Sequence, residues 1–317
     1  MDYPHKDQRA TVSGQIHLHD PEAPESRLTR WFAGLSAPDY AAPRGNGGAF
    51  RAPSQRWVDW QNDAKHYEFW VRGDSNGNFS IPNVRPGAYT LHAIADGVLG
   101  EFTLTNIFVE AGKPLRLPAL AWQPVRYGKQ LWDIGIPNRS AAEFFKGDDY
   151  YHWGWYLEYP KLFPDDVHYV IGKSDFRNDW FFEQVPHSED PGDTTGQGRG
   201  RSTTWTVSFD LPQAPHGKAT LRLALCGVGA HSIAVNVNDH SLGAVTGLIY
   251  NATINRDGIG GYWSESDLGF DAATMKAGQN VMALTIPAGG LTSGVAYDYL
   301  RLELDESAPA PRSDANK

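Results

Sequence analysis

From Ala10 onward, apolar and polar residues alternate in short runs, and each run stops at a glycine, a proline or an Asn/Asp turn signal. "ATVSGQIHLHD", "TRWFAGLSA", "KHYEFWVRGD", "NGNFSIPNV", "GAYTLHAIADG", "GEFTLTNIFVEAG" and "PLRLPALAW" follow one another in this way. A period of two sends successive side chains to opposite faces of a strand, and turn signals every ten or so residues suit a β-sandwich. The turns are chemically specific. Asn76-Gly77 brings a glycine that tolerates the positive φ of a hairpin, and Pro86-Gly87 marks a second turn. The pattern predicts a first β-sandwich over residues 9–122.

"WQPVRYGKQ" reads as a polar, proline-containing linker, and "LWDIGIPNRSAAEFF" opens a second domain expected over residues 131–306. Its later strands are "TTWTVSFDL", "ATLRLALCGV", "HSIAVNVNDHSLG", "NVMALTIPAG" and "AYDYLRLEL". Eight or so antiparallel strands joined by long loops predict a jelly roll, with little helix beyond turns near "RSAAEFFKGDD". Residues 307–317, "SAPAPRSDANK", read as a frayed tail.

Composition narrows the function classes. With 317 residues, 41% hydrophobic and 21% charged, and with 33 Gly and 21 Pro, the chain is a turn-rich globular protein able to bury two cores. A formal charge of −9 offers no basic footprint, so nucleic acid is not an expected partner. No run approaches the ~20 apolar residues of a membrane span, and the start "MDYPHKDQRA" lacks the apolar core of a signal peptide. The single cysteine, Cys226, lies in an apolar run and is expected as a buried free thiol. Nucleophile-elbow, zincin and phosphate-loop motifs are absent, and the glycines of "GQGRGRS" fall in a polar loop.

The densest chemical signal is "DDYYHWGWYLEYP", from Asp148 to Pro160. Sugars present apolar C–H faces ringed by hydroxyls, so they are held by exposed aromatic rings with planar polar partners. The stretch is either the buried wall of a sheet or such a platform. Read as a strand, it puts Tyr151, Trp153 and Trp155 on a core face. His152 and Tyr156 then flank a notch at Gly154 on the other face, where a ring could dock. Polar partners would come from "GKSDFRNDW": Lys173, Asp175 and Arg177, with Trp180 beside them and Arg177 as a clamp for a uronate carboxylate. The same segment also reads as a solvated loop crossed by ion pairs.

The scattered histidines give no zinc spacing. A structural calcium is the more plausible metal, held by Glu143 with Asp298 and Glu303, because closure of the sheet can bring the first and last strands of the second domain together. No DxDxDG-like loop supports it.

Several ordered stretches resemble the rhamnogalacturonan lyases of polysaccharide lyase family 4. They are "ATVSGQI", "TRWFAGLSAPD", "AKHYEFWVR", "FSIPNVRPGAYTLHA", "LWDIGIPNRSAAEFF" and "IGKSDFRNDWFFEQVPH", which together span nearly all of residues 9–305. The resemblance implies an all-β chain: a small fibronectin type III-like or transthyretin-like β-sandwich, then a galactose-binding-like jelly roll similar to carbohydrate-binding modules. In the family these follow a large catalytic β-sandwich. The chain begins near the start of the family's middle module, so the catalytic lysine and histidine have no counterpart here. What is implied is a pectin-directed, polysaccharide-binding portion of such a lyase, acting on rhamnogalacturonan I with a separate or upstream catalytic module, in an extracellular or periplasmic setting. Two alternatives stand beside it. One is a self-contained lyase, whose β-elimination would need a base and a cation drawn from Lys173, Arg177 and His168. The other is a structural scaffold without ligand.

Overall fold

The computed structural model describes residues 4–42, 57–151, 153–190, 192 and 195–311. They form two compact units, Met1–Arg126 and Tyr127–Lys317. The last residues of the predicted tail, 312–317, lie outside the described residues.

The first unit contains β1 (Ala10–Leu18), β2 (Trp31–Ser36), β3 (Tyr40–Ala41), β4 (Trp57–Val58), β5 (Phe69–Arg72), β6 (Asn78–Val84), β7 (Gly87–Ala95), β8 (Phe102–Val109) and β9 (Leu115–Trp122). One sheet has the order β6-β1-β9, with β1 antiparallel to β6 and parallel to β9; the other is the antiparallel sheet β5-β2-β7-β8. Alternate residues such as Val12, Ile16, Leu35, Ile81, Leu91 and Ala93 fill the core between them. A turn forms at Asn76-Gly77, but it carries the chain from β5 in one sheet to β6 in the other rather than closing the expected hairpin. Gly77 has φ +79°, and a Cβ there would lie 2.0 Å from the carbonyl oxygen of Ile16, so only glycine fits.

The four-stranded sheet departs from the usual polar, solvated outer face. Ser36, Thr90 and His92 point away from the core yet are buried. Residues of the connection between β2 and β5, among them Pro38, Asp39 and Trp60, line a space over them. Gly34 is open enough for the Trp70 ring to lie against it; an added Cβ would sit 2.3 Å from that ring.

The second unit is a sandwich of β10 (Lys129–Gly135), β11 (His168–Val170), β12 (His187–Ser188), β13 (Arg199–Arg201), β14 (Thr203–Leu211), β15 (Lys218–Val228), β16 (Ile233–Val237), β17 (His240–Val245), β18 (Ser264–Asp271), β19 (Gly278–Ile286), β20 (Gly289–Gly290) and β21 (Val295–Asp305). Its main sheets have the orders β10-β21-β15-β18 and β11-β14-β19-β16-β17. Short α-helices interrupt it at α1 (Trp155–Leu162) and α2 (Phe176–Asp179). β15 runs down the centre of its sheet and is buried along almost its whole length, including Cys226. Burial pushes that thiol up well beyond its ordinary pKa, so it stays protonated and inert.

Register fixes where the loops go. Gly135 at the end of β10 pairs with Tyr299, Val228 at the end of β15 pairs with Val295, and Leu225 pairs with Ser264 at the start of β18. The connections 136–154, 246–263 and 287–294 therefore gather at one end of this unit.

Candidate functional site

The aromatic stretch is not a strand. Gly154 takes a left-handed conformation at φ 77° and starts α1, so residues 155–162 are a helix and Tyr150, Tyr151 and Trp153 lie in irregular backbone before it. The parity expectation is overturned. Tyr151 and Trp153, predicted as core, are 69% and 60% exposed, and Tyr150 is fully exposed at 105%. Tyr156, predicted as the stacking ring, is buried at 7% and faces Gly196, where a Cβ would come within 2.6 Å of its hydroxyl. His152 lies outside the described residues.

Trp180 is also corrected from surface to core. It is 0% exposed and packs edge-on against Trp205 at 4.8 Å and Tyr297 at 5.6 Å, with the Trp205 indole N–H donating to the Tyr159 hydroxyl at 2.7 Å. Such a ring contributes packing rather than recognition. Lys173, Asp175 and Arg177 are exposed. Asp175 caps α2 by accepting from the Arg177 amide at 3.0 Å, and the Arg177 guanidinium lies 3.8 Å from the same carboxylate. The solvated reading of this loop is the one the geometry matches, and these residues share no described contact with Tyr156.

The proposed calcium ligands do not converge. Glu143 and Asp298 meet at residues 136–140, as closure of β10 on β21 predicts. Asp298 accepts from the amides of Asn138, Arg139 and Ser140 on one oxygen and from the Trp263 indole on the other. Glu143 accepts from the Ile136 amide and the Asn138 side chain. All four oxygens face N–H donors, an environment built for a carboxylate and not for a cation. Burial, working against those bonds, pushes Asp298 up to about 7. Glu303 is on the opposite parity of β21 and is held by Arg301 at 2.9 Å and Arg222 at 3.5 Å. Among the described residues, no group of His, Cys, Asp or Glu is arranged to hold a metal ion.

What the structure does assemble is an aromatic loop pinned by a distant acid. The buried Asp257 carboxylate accepts from the Gly154 amide at 2.6 Å and the Trp155 amide at 3.0 Å, which fixes the chain directly after the exposed rings of Tyr150, Tyr151 and Trp153. Asp257 itself sits at φ 47°, a conformation that Asp and Asn tolerate better than most residues. Beside it, Glu183 is fully buried. Burial first, and the Asp257 charge second, raise its carboxyl far above the usual range, so it remains protonated.

The neighbouring loop is joined on by the Ala141 amide donating to the Ile259 carbonyl at 2.7 Å, and it contributes Tyr250, 45% exposed. Two cations lie over indoles at this end: Lys146 is 4.8 Å from the Trp155 ring, and Arg139 is 4.4 Å from the Trp263 ring. Sequence reasoning found the aromatic density but missed Tyr250, Arg139 and Asp257. Only the glycine before "WYLEYP" hinted at a helix start.

Profiles of two protein domains match the chain: "Polysaccharide lyase family 4, domain III" over residues 130–302 and "Polysaccharide lyase family 4, domain II" over residues 43–117. The chain belongs to polysaccharide lyase family 4. Its two units are this family's domains II and III, a fibronectin type III-like sandwich and a jelly roll like carbohydrate-binding modules. "Probable rhamnogalacturonate lyase B" of Aspergillus niger is 28% identical, the match covering 74% of this chain and 38% of that protein. "Rhamnogalacturonate lyase B" of Emericella nidulans is 29% identical, over 75% and 42%. The family 4 chain thus spans about two fifths of the length of these relatives. Among solved structures, a family 35 carbohydrate-binding module from an environmental isolate is similar at 20% identity and TM-score 0.23, covering 38% of this chain and 84% of its own. One from Clostridium thermocellum is similar at 16% and 0.23, covering 38% and 88%. Scores that low add nothing to the fold described above.

Proposed function

We propose that this chain is the non-catalytic, polysaccharide-binding portion of an extracellular lyase directed at rhamnogalacturonan I, and that Tyr150, Tyr151 and Trp153 form its sugar platform. The observation that carries the reading is the set of exposed rings Tyr150, Tyr151 and Trp153 on a loop whose base is fixed by Asp257. Large aromatic side chains left in water forgo about 25 cal/mol for each Å² they could bury, and a pyranose C–H face can recover part of that. Fixing the loop beforehand lowers the ordering cost of binding. At the same end Lys146, paired with Asp149 at 3.0 Å, and Arg139 lie over indole rings, so stacked cations stand beside the platform.

The lyase reading of this chain alone draws no comparable support. β-Elimination needs a base at the C5 proton and a cation against the developing enolate, both on one substrate. Lys173 and Arg177 are exposed, and the His168 ring is engaged with the Thr206 hydroxyl at 2.8 Å. Calorimetric titration with rhamnogalacturonan I, run beside an ultraviolet assay for unsaturated product, tests the proposal. Saturable binding without product is expected. Product formation by the pure chain, or no binding at millimolar oligosaccharide, contradicts it.

A further inference from the structure

The three-stranded sheet of the first unit carries a groove on the face turned away from the core. Val12 and Ile16 of β1 point inward, so Ser13 and Gln15 point outward, with Asn78 of β6 opposite Gln15 and Arg116 of β9 opposite Ser13. Between those positions the register to β9 slips: Ser13 faces Arg116 but Gln15 faces Ala119, so β9 carries an extra residue at Leu117-Pro118. Such a bulge bends the strand, and proline suits it because β9 is an edge strand with no ladder bond to make on its outer side. Beneath the groove, a Cβ added to Gly14 would sit 2.8 Å from the Phe79 ring and 3.3 Å from Leu117, so the floor is tightly packed. Ser13, Gln15, Asn78, Arg116 and Pro118 line the resulting open groove of about 500 Å³, a volume within the range of small-molecule sites.

Its polar groups have fixed roles. The Gln15 side-chain nitrogen donates to the Asn76 carbonyl at 2.9 Å, and the Asn78 side-chain nitrogen donates to the Asp74 carboxylate at 3.0 Å. Each amide is thereby oriented with its nitrogen engaged, which leaves its oxygen as an acceptor. The Asp74 carboxylate also accepts from the backbone amides of Asn76 and Asn78, and it is not part of the lining. Arg116 is exposed and brings the charge of the lining, and among the described residues neither its guanidinium nor the Ser13 hydroxyl has a hydrogen-bond or ion-pair partner.

The groove therefore offers a guanidinium and a hydroxyl as donors, with the oxygens of Gln15 and Asn78 as acceptors. A guanidinium fork matches a carboxylate, and amide oxygens match hydroxyl donors. A simple anion uses only the first half of this set and a neutral sugar only the second. A ligand with a carboxylate and neighbouring hydroxyls uses all of it. We infer that this groove binds a uronate-bearing saccharide, in a different unit from the exposed aromatic rings and through a carboxylate clamp rather than a stacking surface.

The test follows backbone amide shifts of the full, isotope-labelled chain with digalacturonate, neutral galactobiose and sodium acetate, each raised to millimolar concentration. Digalacturonate is expected to move the signals of Ser13, Gln15, Asn78 and Arg116 saturably, with galactobiose and acetate each binding roughly ten-fold or more weakly. Arg116→Ala changes an exposed side chain that holds nothing in the described fold, and it should weaken digalacturonate by roughly ten-fold or more. Equal binding of acetate, equal binding of galactobiose, no saturable shift at these amides, or an unchanged affinity in Arg116→Ala overturns the inference. Shifts there are read apart from any at Tyr150, Tyr151 and Trp153, so the groove and the aromatic platform stand or fall independently.

Discussion

Asp257 is the residue on which the order of the aromatic loop depends, and Asp257→Ala makes that dependence measurable. The substitution removes the acceptor of two buried or part-buried amides, those of Gly154 and Trp155. Hydrogen bonds to a charged group contribute roughly 1.5–3 kcal/mol each, so the gross loss is about 3–6 kcal/mol. Two further effects add to this loss. Alanine at φ 47° costs about 1 kcal/mol more than Asp, and the protonated Glu183 carboxyl loses the Asp257 carboxylate to which it donates. The net expectation is a destabilisation of about 4 kcal/mol or more in the second unit. For a domain of this size that corresponds to a fall in Tm of about 8–16 °C. Asp257→Asn keeps the backbone preference and one acceptor, so it should lose about half as much. Thermal melts followed by circular dichroism give the stability. Hydrogen exchange at Gly154 and Trp155 shows whether the loss is at the helix start. If Asp257→Ala melts within 2 °C of the parent with unchanged exchange at those amides, the carboxylate does not hold the loop and the reasoning fails.

Two other buried acids give pH predictions of the same sign. Glu183, raised well above its unfolded value, contributes stability that is full below the ordinary carboxylate range and is lost as pH climbs towards its folded value. Glu183→Gln should therefore match the parent near pH 4 and exceed it at pH 8, the gap growing by up to about 1.4 kcal/mol per pH unit; a gap independent of pH refutes this. Asp298, moved from 3.8 to about 7, contributes stability that is full below about pH 4 and is lost as pH rises through 7. Calorimetry across pH 4–7 should show the parent losing about 4 kcal/mol relative to Asp298→Asn over that range, and parallel curves would remove the assignment.

The strands were legible because their information is local. Alternation marks β14 and β19, glycines such as Gly77 mark turns between strands, and a continuous apolar run marks the buried β15. The candidate site was legible only in part, because its information is not local. "DDYYHWGWYLEYP" has the composition of a strand, but its helix start is set by Gly154 and by a carboxylate 103 positions away. The calcium expectation brought Glu143 and Asp298 together correctly, since the pairing of first and last strands is a topological matter. It failed at Glu303 because strand parity puts that residue on the other face, a point the sequence does contain. The space over the four-stranded sheet left no periodic trace. Ser36, Thr90 and His92 read as outward-facing polar positions until the β2–β5 connection is seen to reach over them.

The most direct test of the account compares two variants in affinity for rhamnogalacturonan I by calorimetric titration. Tyr151→Ala combined with Trp153→Ala removes exposed rings, whereas Arg177→Ala removes the loop cation that sequence alone favoured. The account predicts at least a ten-fold loss for the aromatic double variant, about 1.4 kcal/mol or more, with an unchanged Tm and with Arg177→Ala within two-fold of the parent. Full affinity in the aromatic variant, or a loss confined to Arg177→Ala, would contradict it.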